Sequence, residues 1–392
     1  MTEVSTGPAE TRLTIATATC LVVAVSTVAL SPLTVGGLIE SFAVGEADAG
    51  LLITVELTTI GITSIALAPL CGRLSPRLMA VGAALLILVV NALTLRADSF
   101  DQLYLWRFMA GVGHGAAFAI ANASIARSAR PTALYSLAWA SVFTVAAVVS
   151  VLITANTDVI AFDSVFRWMT GIIAVGLLLL WLLPARPVPI EQGSFQPGTI
   201  GAGVVLAFGV ALIVGSMMAY YAFVERLAAE IGASPDQAGI VVAIVMITSI
   251  IGAAMAAPVA SRHRILTPLV AVSVLHALAV LAATINADVL LLGIFAGMEG
   301  LTFNFTLPLM FALAAAIDRQ GRWAAAMGGV FTIATGCGPI IGGVLVETFG
   351  YVSVGWLNIA CVIPATAAFI RVAKHAPGPG TYRTGNTSSG SQ

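Results

Sequence analysis

The sequence predicts an all-α, polytopic membrane protein of twelve transmembrane helices in two six-helix bundles, and three observations carry that prediction. First, 59% of the 392 residues are hydrophobic and only 9% are charged, with a mean hydropathy of +1.02; soluble domains carry roughly 25% charged residues. The 17 Lys and Arg and 18 Asp and Glu residues cannot cover a water-facing surface of this size, whereas a lipid-facing surface needs no such cover. Second, apolar runs of spanning length recur along the chain. Third, the chain repeats itself: Ala49-Gly50, Pro69 and Arg73 return at the same spacing as Ala238-Gly239, Pro258 and Arg262, and Val142-Phe143-Thr144 returns as Val330-Phe331-Thr332. A period of about 190 residues in so apolar a chain points to two related halves.

Crossing ~30 Å of hydrocarbon takes about 20 helical residues. Runs of that length lie near residues 14–38, 49–70, 77–95, 101–125, 133–155 and 167–184, then near 199–223, 237–259, 266–285, 289–315, 323–346 and 351–373. Backbone groups in lipid must be satisfied within the segment, and runs this long do not alternate as barrel strands do, so all twelve are expected as helices. The organisation that follows is a tail over 1–12, a bundle over 13–184, a linker over 185–198, a second bundle over 199–373 and a disordered tail over 374–392. The linker holds Pro184, Pro187, Pro189, Gly193, Pro197 and Gly198, which cannot continue a helix. Pro32, Pro69, Pro258, Pro308, Pro339 and Pro364 fall in or at the ends of spans, where a missing amide proton bends or loosens a helix.

Basic loop residues favour the cytoplasmic side. Arg12, Arg73, Arg77, Arg127, Arg130, Arg186, Arg262, Arg264, Arg319, Arg322, Arg371, Lys374 and Arg383 fall on one side of this topology, and Arg96, Arg167 and Arg226 on the other. Both termini are therefore expected in the cytoplasm, in a plasma membrane of the bacterial inner-membrane type. Cys20, Cys71, Cys337 and Cys361 lack paired or metal-like spacing and are expected as free thiols. No phosphate loop, metal-ligand cluster or nucleophile motif stands in the chain, so neither an enzyme nor a cofactor or metal is expected. The net charge of -1 says nothing about nucleic acid, but no basic patch exists beyond short loop clusters, so no nucleic-acid partner is expected.

Three local motifs carry a resemblance. Gly72-Arg73-Leu-Ser-Pro-Arg77 follows the second span, with Pro76 where an acid is usual; Arg107-Phe-Met-Ala-Gly111-Val-Gly113-His114-Gly115 opens the fourth; and Gly336-Cys-Gly338-Pro339-Ile-Ile-Gly342-Gly343 stands in the eleventh. With twelve spans in two repeats, these resemble the major facilitator superfamily of secondary transporters, and in particular its proton-coupled drug and metabolite efflux branch. The resemblance covers nearly the whole chain. It implies a role in proton transfer for the fourth-span arginine, and a central cavity lined by the first, fourth, seventh and tenth spans. The Gly-Pro motif resembles the antiporter signature of the fifth span, displaced here to its repeat counterpart.

Charges inside spans are costly, about 3 kcal/mol for an arginine at mid-span on insertion scales, and face protein or water. Glu56 shares a helical face with Thr59 and Thr63, Glu299 with Thr302 and Thr306, and Arg107 with Gly111 and His114. The repeat pairs Glu56 with Val245, Arg107 with Gly293 and Glu299 with Gly113, so symmetry offers no structural reason for these charges. Glu56, Arg107 and Glu299 are the proton-coupling candidates, although Arg107 lies near enough to the membrane surface to snorkel. His114, Asn304, Tyr220 and Tyr221 are the substrate-binding candidates, with His114 facing Glu299 across the cavity. Gly72, Arg73, Arg77, Gly111, Gly115, Gly338, Pro339 and Gly342 are structural candidates. His276 reads as a packed residue, and Glu40, Glu225 and Glu347 as solvated residues at outer helix ends.

The expected function is secondary transport of a small organic solute by alternating access, with proton-coupled efflux by a monomer as the leading form. A proton symporter or facilitator importing a metabolite and a non-transporting membrane sensor are the alternatives. The expected partners are the solute, protons and the lipid bilayer.

Overall fold

The computed structural model describes residues 8–126, 128, 131–155, 157, 159–186, 199–260, 265–317 and 322–375. All but two residues of the linker expected at 185–198, most of both tails, and Arg127, Arg130, Arg262, Arg264, Arg319 and Arg383 lie outside the described residues. The regular elements among the described residues are helices: α1 (Pro8–Ala29), α2 (Ser31–Phe42), α3 (Glu46–Leu67), α4 (Pro76–Thr94), α5 (Phe100–Ala126), α6 (Pro131–Thr154), α7 (Phe162–Leu180), α8 (Ile200–Tyr221), α9 (Val224–Glu230), α10 (Pro235–Ala260), α11 (Leu266–Ile285), α12 (Val289–Ile317), α13 (Arg322–Phe349) and α14 (Val352–His375), with a short 3-10 turn at Ala68–Gly72. Among them, 12 are long and apolar enough to cross a membrane. Apolar side chains such as Leu178 and Leu290, each 72% exposed, cover the outer surface, as a surface meeting lipid requires. The four cysteines are free thiols.

One expected run divides. The first span, read as continuous over 14–38, breaks at Leu30 between α1 and α2. Pro32 sits in the first turn of α2 and has no N–H for the Val28 carbonyl, four residues back; the Ser31 hydroxyl donates to that carbonyl instead, at 2.9 Å. The seventh span breaks at the corresponding place, between α8 and α9. Both breaks lie near the end of the bundle opposite the termini, hereafter the far end.

Glycines set how closely the helices approach. A Cβ at Gly115 of α5 would lie 2.6 Å from the Ile60 carbonyl oxygen of α3, and one at Gly338 of α13 would lie 2.6 Å from the Met218 Cβ of α8. Backbones this close leave no room for a methyl group, the small-residue packing that membrane helices use in place of a hydrophobic drive. Alpha-13 is packed this way on two sides, because a Cβ at Gly336 would lie 2.6 Å from the Thr58 amide nitrogen of α3 and one at Gly342 would overlap Ala219 of α8. Pro339 lies inside α13 between these contacts, and the following amide, Ile340, donates to Thr54 Oγ1 of α3 at 2.9 Å.

The two halves meet along α3–α13 and α6–α10. The polar ties between them include the Tyr221 hydroxyl to the Ala29 carbonyl at 2.6 Å, the Ala47 amide to Glu347 at 2.9 Å, and the ion pair between Arg226 and Glu40. All three stand at the far end.

Gly115→Ala and Gly338→Ala are expected to destabilise the protein by roughly 1–3 kcal/mol each, the usual effect of overpacking. Gly82→Ala, with nothing within 4 Å of its added carbon, is expected to leave the thermal midpoint of the purified protein within experimental error of the wild type.

Candidate functional site

The fourth-span stripe is built around an ion pair. Arg107 is 1% exposed and Glu56 fully buried, and the Arg107 Nη1 donates to Glu56 Oε1 at 3.4 Å. Nη2 donates to Asn91 Oδ1 at 3.1 Å and to the Thr94 hydroxyl, and the guanidinium carbon lies 4.5 Å from the centre of the Phe166 ring, a cation–π contact. Arg107 does not snorkel. With two polar side chains of α4, the Glu56 carboxylate and an aromatic face around it, both Nη atoms of the guanidinium are engaged where they stand, while its Nε has no hydrogen-bond partner among the described residues.

His114 completes this cluster instead of facing Glu299. Its Nδ1 lies 2.8 Å from the Val23 carbonyl of α1, which fixes Nδ1 as the donor, and its Nε2 lies 3.8 Å from Glu56 Oε1. Gly111 makes the arrangement possible. It lies between Arg107 and His114 on one stripe of α5, and a Cβ there would sit 2.7 Å from the Glu56 carbonyl oxygen, so α3 approaches closely enough for one carboxylate to reach both side chains. The cluster thus ties α1, α3, α4, α5 and α7 together inside the first half. Asn91, Thr94 and Phe166 were not legible as its members, although a carboxamide in an otherwise apolar span was a signal for Asn91.

Glu299 stands apart from that cluster. It is 1% exposed on α12, its Oε2 has no hydrogen-bond partner among the described residues, and it lines a cavity between the halves. Asn304 and Tyr221 line the same cavity. The cavity walls also include Trp139 and Phe143 of α6, Met217 and Met218 of α8, Met246 of α10 and Phe331 of α13. The Tyr221–Ala29 hydrogen bond closes the cavity on its far-end side. Tyr220 points elsewhere, packing with Phe223, Thr284 and Tyr351. His276 is buried behind the cavity wall, its ring 5.9 Å from that of Phe303.

The basic loop after α3 works without the missing acid. Gly72 ends the 3-10 turn and Arg73 is exposed. Ser75 caps α4, accepting from the Leu78 amide, and Pro76 occupies its first turn. The Arg77 Nε donates to the Leu183 carbonyl at 2.8 Å and its amide to Pro184, holding the start of α4 to the chain leaving α7.

A second titratable group is buried at the far end. Glu225, expected as solvated, is 4% exposed on α9, against Gly36 of α2, where an added Cβ would overlap its carboxyl. The break after Tyr221 turns α9 inward across the end of the bundle, which a continuous helix would not do. Burial pushes the Glu225 carboxyl up to about 8, with Arg226 opposing and Glu40 adding to the rise. Glu40 and Glu347 are exposed, as expected.

The sequence profile of the Major Facilitator Superfamily matches residues 15–206 and again 206–388. Among solved structures, the chain is similar to a bacterial homolog of the human lysosomal transporter Spinster in an inward-facing, unoccupied conformation, with 13% identity, 95% of this chain and 98% of that chain covered, and a TM-score of 0.71. It is also similar to a point mutant of the nucleoside transporter NupG, with 12% identity, 93% and 99% covered, and a TM-score of 0.72.

Removing one partner of the buried pair, in Glu56→Gln or Arg107→Gln, is expected to destabilise the protein by about 3–5 kcal/mol, and the double variant by less than the sum, because neither charge is then left alone. A double-mutant cycle on the unfolding of the purified protein reads this. Glu225 gives a pH signature. A carboxyl raised above its ordinary 4.5 contributes stability that is full below that value and is lost as pH rises through about 8. The thermal midpoint should therefore fall between pH 5 and 9 in the wild type and fall less steeply in Glu225→Gln.

Proposed function

The chain belongs to the major facilitator superfamily and is a secondary transporter, and from that premise we propose that it exports a small organic solute in exchange for protons. The observation that carries this reading is Glu299: a buried carboxylate, without a counter-charge among the described residues, on the wall of a cavity between the halves. In an apolar cavity such a group is stable when protonated or when a cation lies against it. Water entering from one side takes the proton away; closing that side and opening the other lets a new proton arrive. A carrier that alternates its opening in this way couples proton entry to solute exit.

Glu56 and Arg107 serve a different step in this reading. Their charges cancel inside the first half, away from the cavity, so the pair keeps that half rigid while it rocks against the second. The far-end ties from Tyr221, Glu347 and Arg226 are the contacts that part when the carrier opens outward. The working form is a monomer in a plasma membrane of the bacterial inner-membrane type, with both termini in the cytoplasm and the far end outside. The division into bundles 13–184 and 199–373, joined by the linker 185–198, supplies the two rocking bodies.

Accumulation of a solute panel in cells with and without the protein identifies the cargo, and inverted vesicles with an acidic lumen then test coupling. Uptake of that solute into the vesicles should release lumenal protons, and Glu299→Gln should cut gradient-driven uptake at least tenfold while gradient-independent exchange survives. Uptake indifferent to both the gradient and the substitution would overturn proton coupling. Greater cellular accumulation on expression would make the protein an importer.

A further inference from the structure

The chemistry of the cavity wall narrows the cargo, and this inference rests on the transport reading of the same site. Among the described residues lining the cavity, Glu299 is the only Asp, Glu, Lys, Arg or His. Arg107, the cation a sequence reading would offer to an anionic or zwitterionic solute, is held in the first half by Glu56, Asn91 and Thr94 and does not line the cavity. A carboxylate on the solute would meet no counter-charge there, and burying it unpaired is costly.

Hydrogen-bond roles point the same way. The Asn304 Nδ2 donates to Ser249 Oγ at 2.8 Å and to the Gly300 carbonyl at 3.1 Å. The Ser249 hydroxyl donates to the Val245 carbonyl at 2.7 Å, that of Thr335 to Phe331 at 2.8 Å, and that of Tyr221 to Ala29 at 2.6 Å. The indole N–H of Trp139, buried beside Tyr135, is the exception: it has no hydrogen-bond partner among the described residues. Apart from that indole, these donors are engaged inside the protein, and what a solute meets is chiefly acceptors, the Glu299 carboxylate and Asn304 Oδ1. Around them stand the aromatic faces of Trp139, Phe143 and Phe303 and the thioethers of Met217, Met218 and Met246, surfaces that suit an apolar body and, over the rings, a cation.

We propose that the cavity binds an amphipathic organic monocation bearing N–H donors, a protonated amine with an aromatic or aliphatic body, whose ammonium donates to Glu299 and Asn304 in place of the proton. One carboxylate balances one positive charge, so proton and ammonium exclude each other, and exchange of one for the other is built into the site. The titratable groups nearest Glu299 are Tyr220 and Tyr221 of α8 and His276 of α11; none offers a second negative charge at neutral pH.

Three probes of matched shape test this: 4-phenylbutylamine, 4-phenylbutanol and 4-phenylbutyrate, titrated calorimetrically into the full-length protein in lipid nanodiscs between pH 6 and 8.5. The amine, charged throughout that range, should bind at least tenfold tighter than the alcohol or the acid, and its affinity should rise with pH as protons leave the shared oxygens. Glu299→Gln should weaken amine binding at least thirtyfold and abolish its pH dependence; Glu299→Asp, which keeps the charge, should stay within about tenfold of the wild type and keep the pH dependence; Asn304→Ala should weaken binding several-fold. Thermal midpoints of each variant show that the fold is retained. Equal binding of alcohol or acid, no binding of the amine by the wild type, or amine affinity unmoved by Glu299→Gln would overturn the proposal. Amine binding without proton-linked flux would leave it standing and sink the transport reading, whereas proton-linked, Glu299-dependent flux of an acid or neutral solute would do the reverse.

Discussion

The ion pair between Glu56 and Arg107 is the interaction on which the first half depends. A guanidinium and a carboxylate surrounded by apolar helices are each costly alone, and each is tolerable where the other stands against it with further hydrogen bonds. Asn91, Thr94, Phe166 and His114 supply the rest of the shell. Because these groups come from α1, α3, α4, α5 and α7, the requirement for neutrality at one point fixes how five helices sit around it. Gly111 is part of the same constraint, since any larger residue would push α3 away and open the pair.

Once that pair is closed, the charge distribution of the whole interior follows. The first half is internally balanced. The second half carries Glu299 without a partner, and places it on the wall shared by both halves. A balanced charge resists movement of the helices that hold it, whereas an unbalanced one exposed to a changing cavity exchanges protons or cations. The paired and the unpaired interior charges are therefore divided between the two repeats, although their backbones share one plan. The glycine-proline stretch of α13 has two glycine faces that let it pack on α3 and α8 at once, where the halves meet.

The residues that sequence symmetry marked as unexplained, Glu56, Arg107 and Glu299, are all buried charges, and their rarity in apolar spans is what made them visible. Their grouping was not visible. Arg107 and Glu56 are separated by a full span and a loop, and nothing in a helical stripe says which neighbouring helix it will face; His114 on the same stripe was expected across the cavity and lies instead against Val23 and Glu56. Glu225 was misplaced for a related reason. Its position one turn past the end of an apolar run reads as a solvated helix end, and only the break at Ala222 and Phe223 turns it into the bundle beside Gly36.

The sequence by itself determined the class, the number of spans, the two-fold repeat and the short roster of interior charges, because hydropathy, turn chemistry and the cost of burying charge act locally and leave their mark residue by residue. The tertiary structure decided which of those charges cancel and which stays alone, because ion pairing depends on distances between helices that are remote in the chain. It also decided which hydroxyls and amides around the cavity have already spent their donors inside the protein, because those partners are set by how the helices fold and pack.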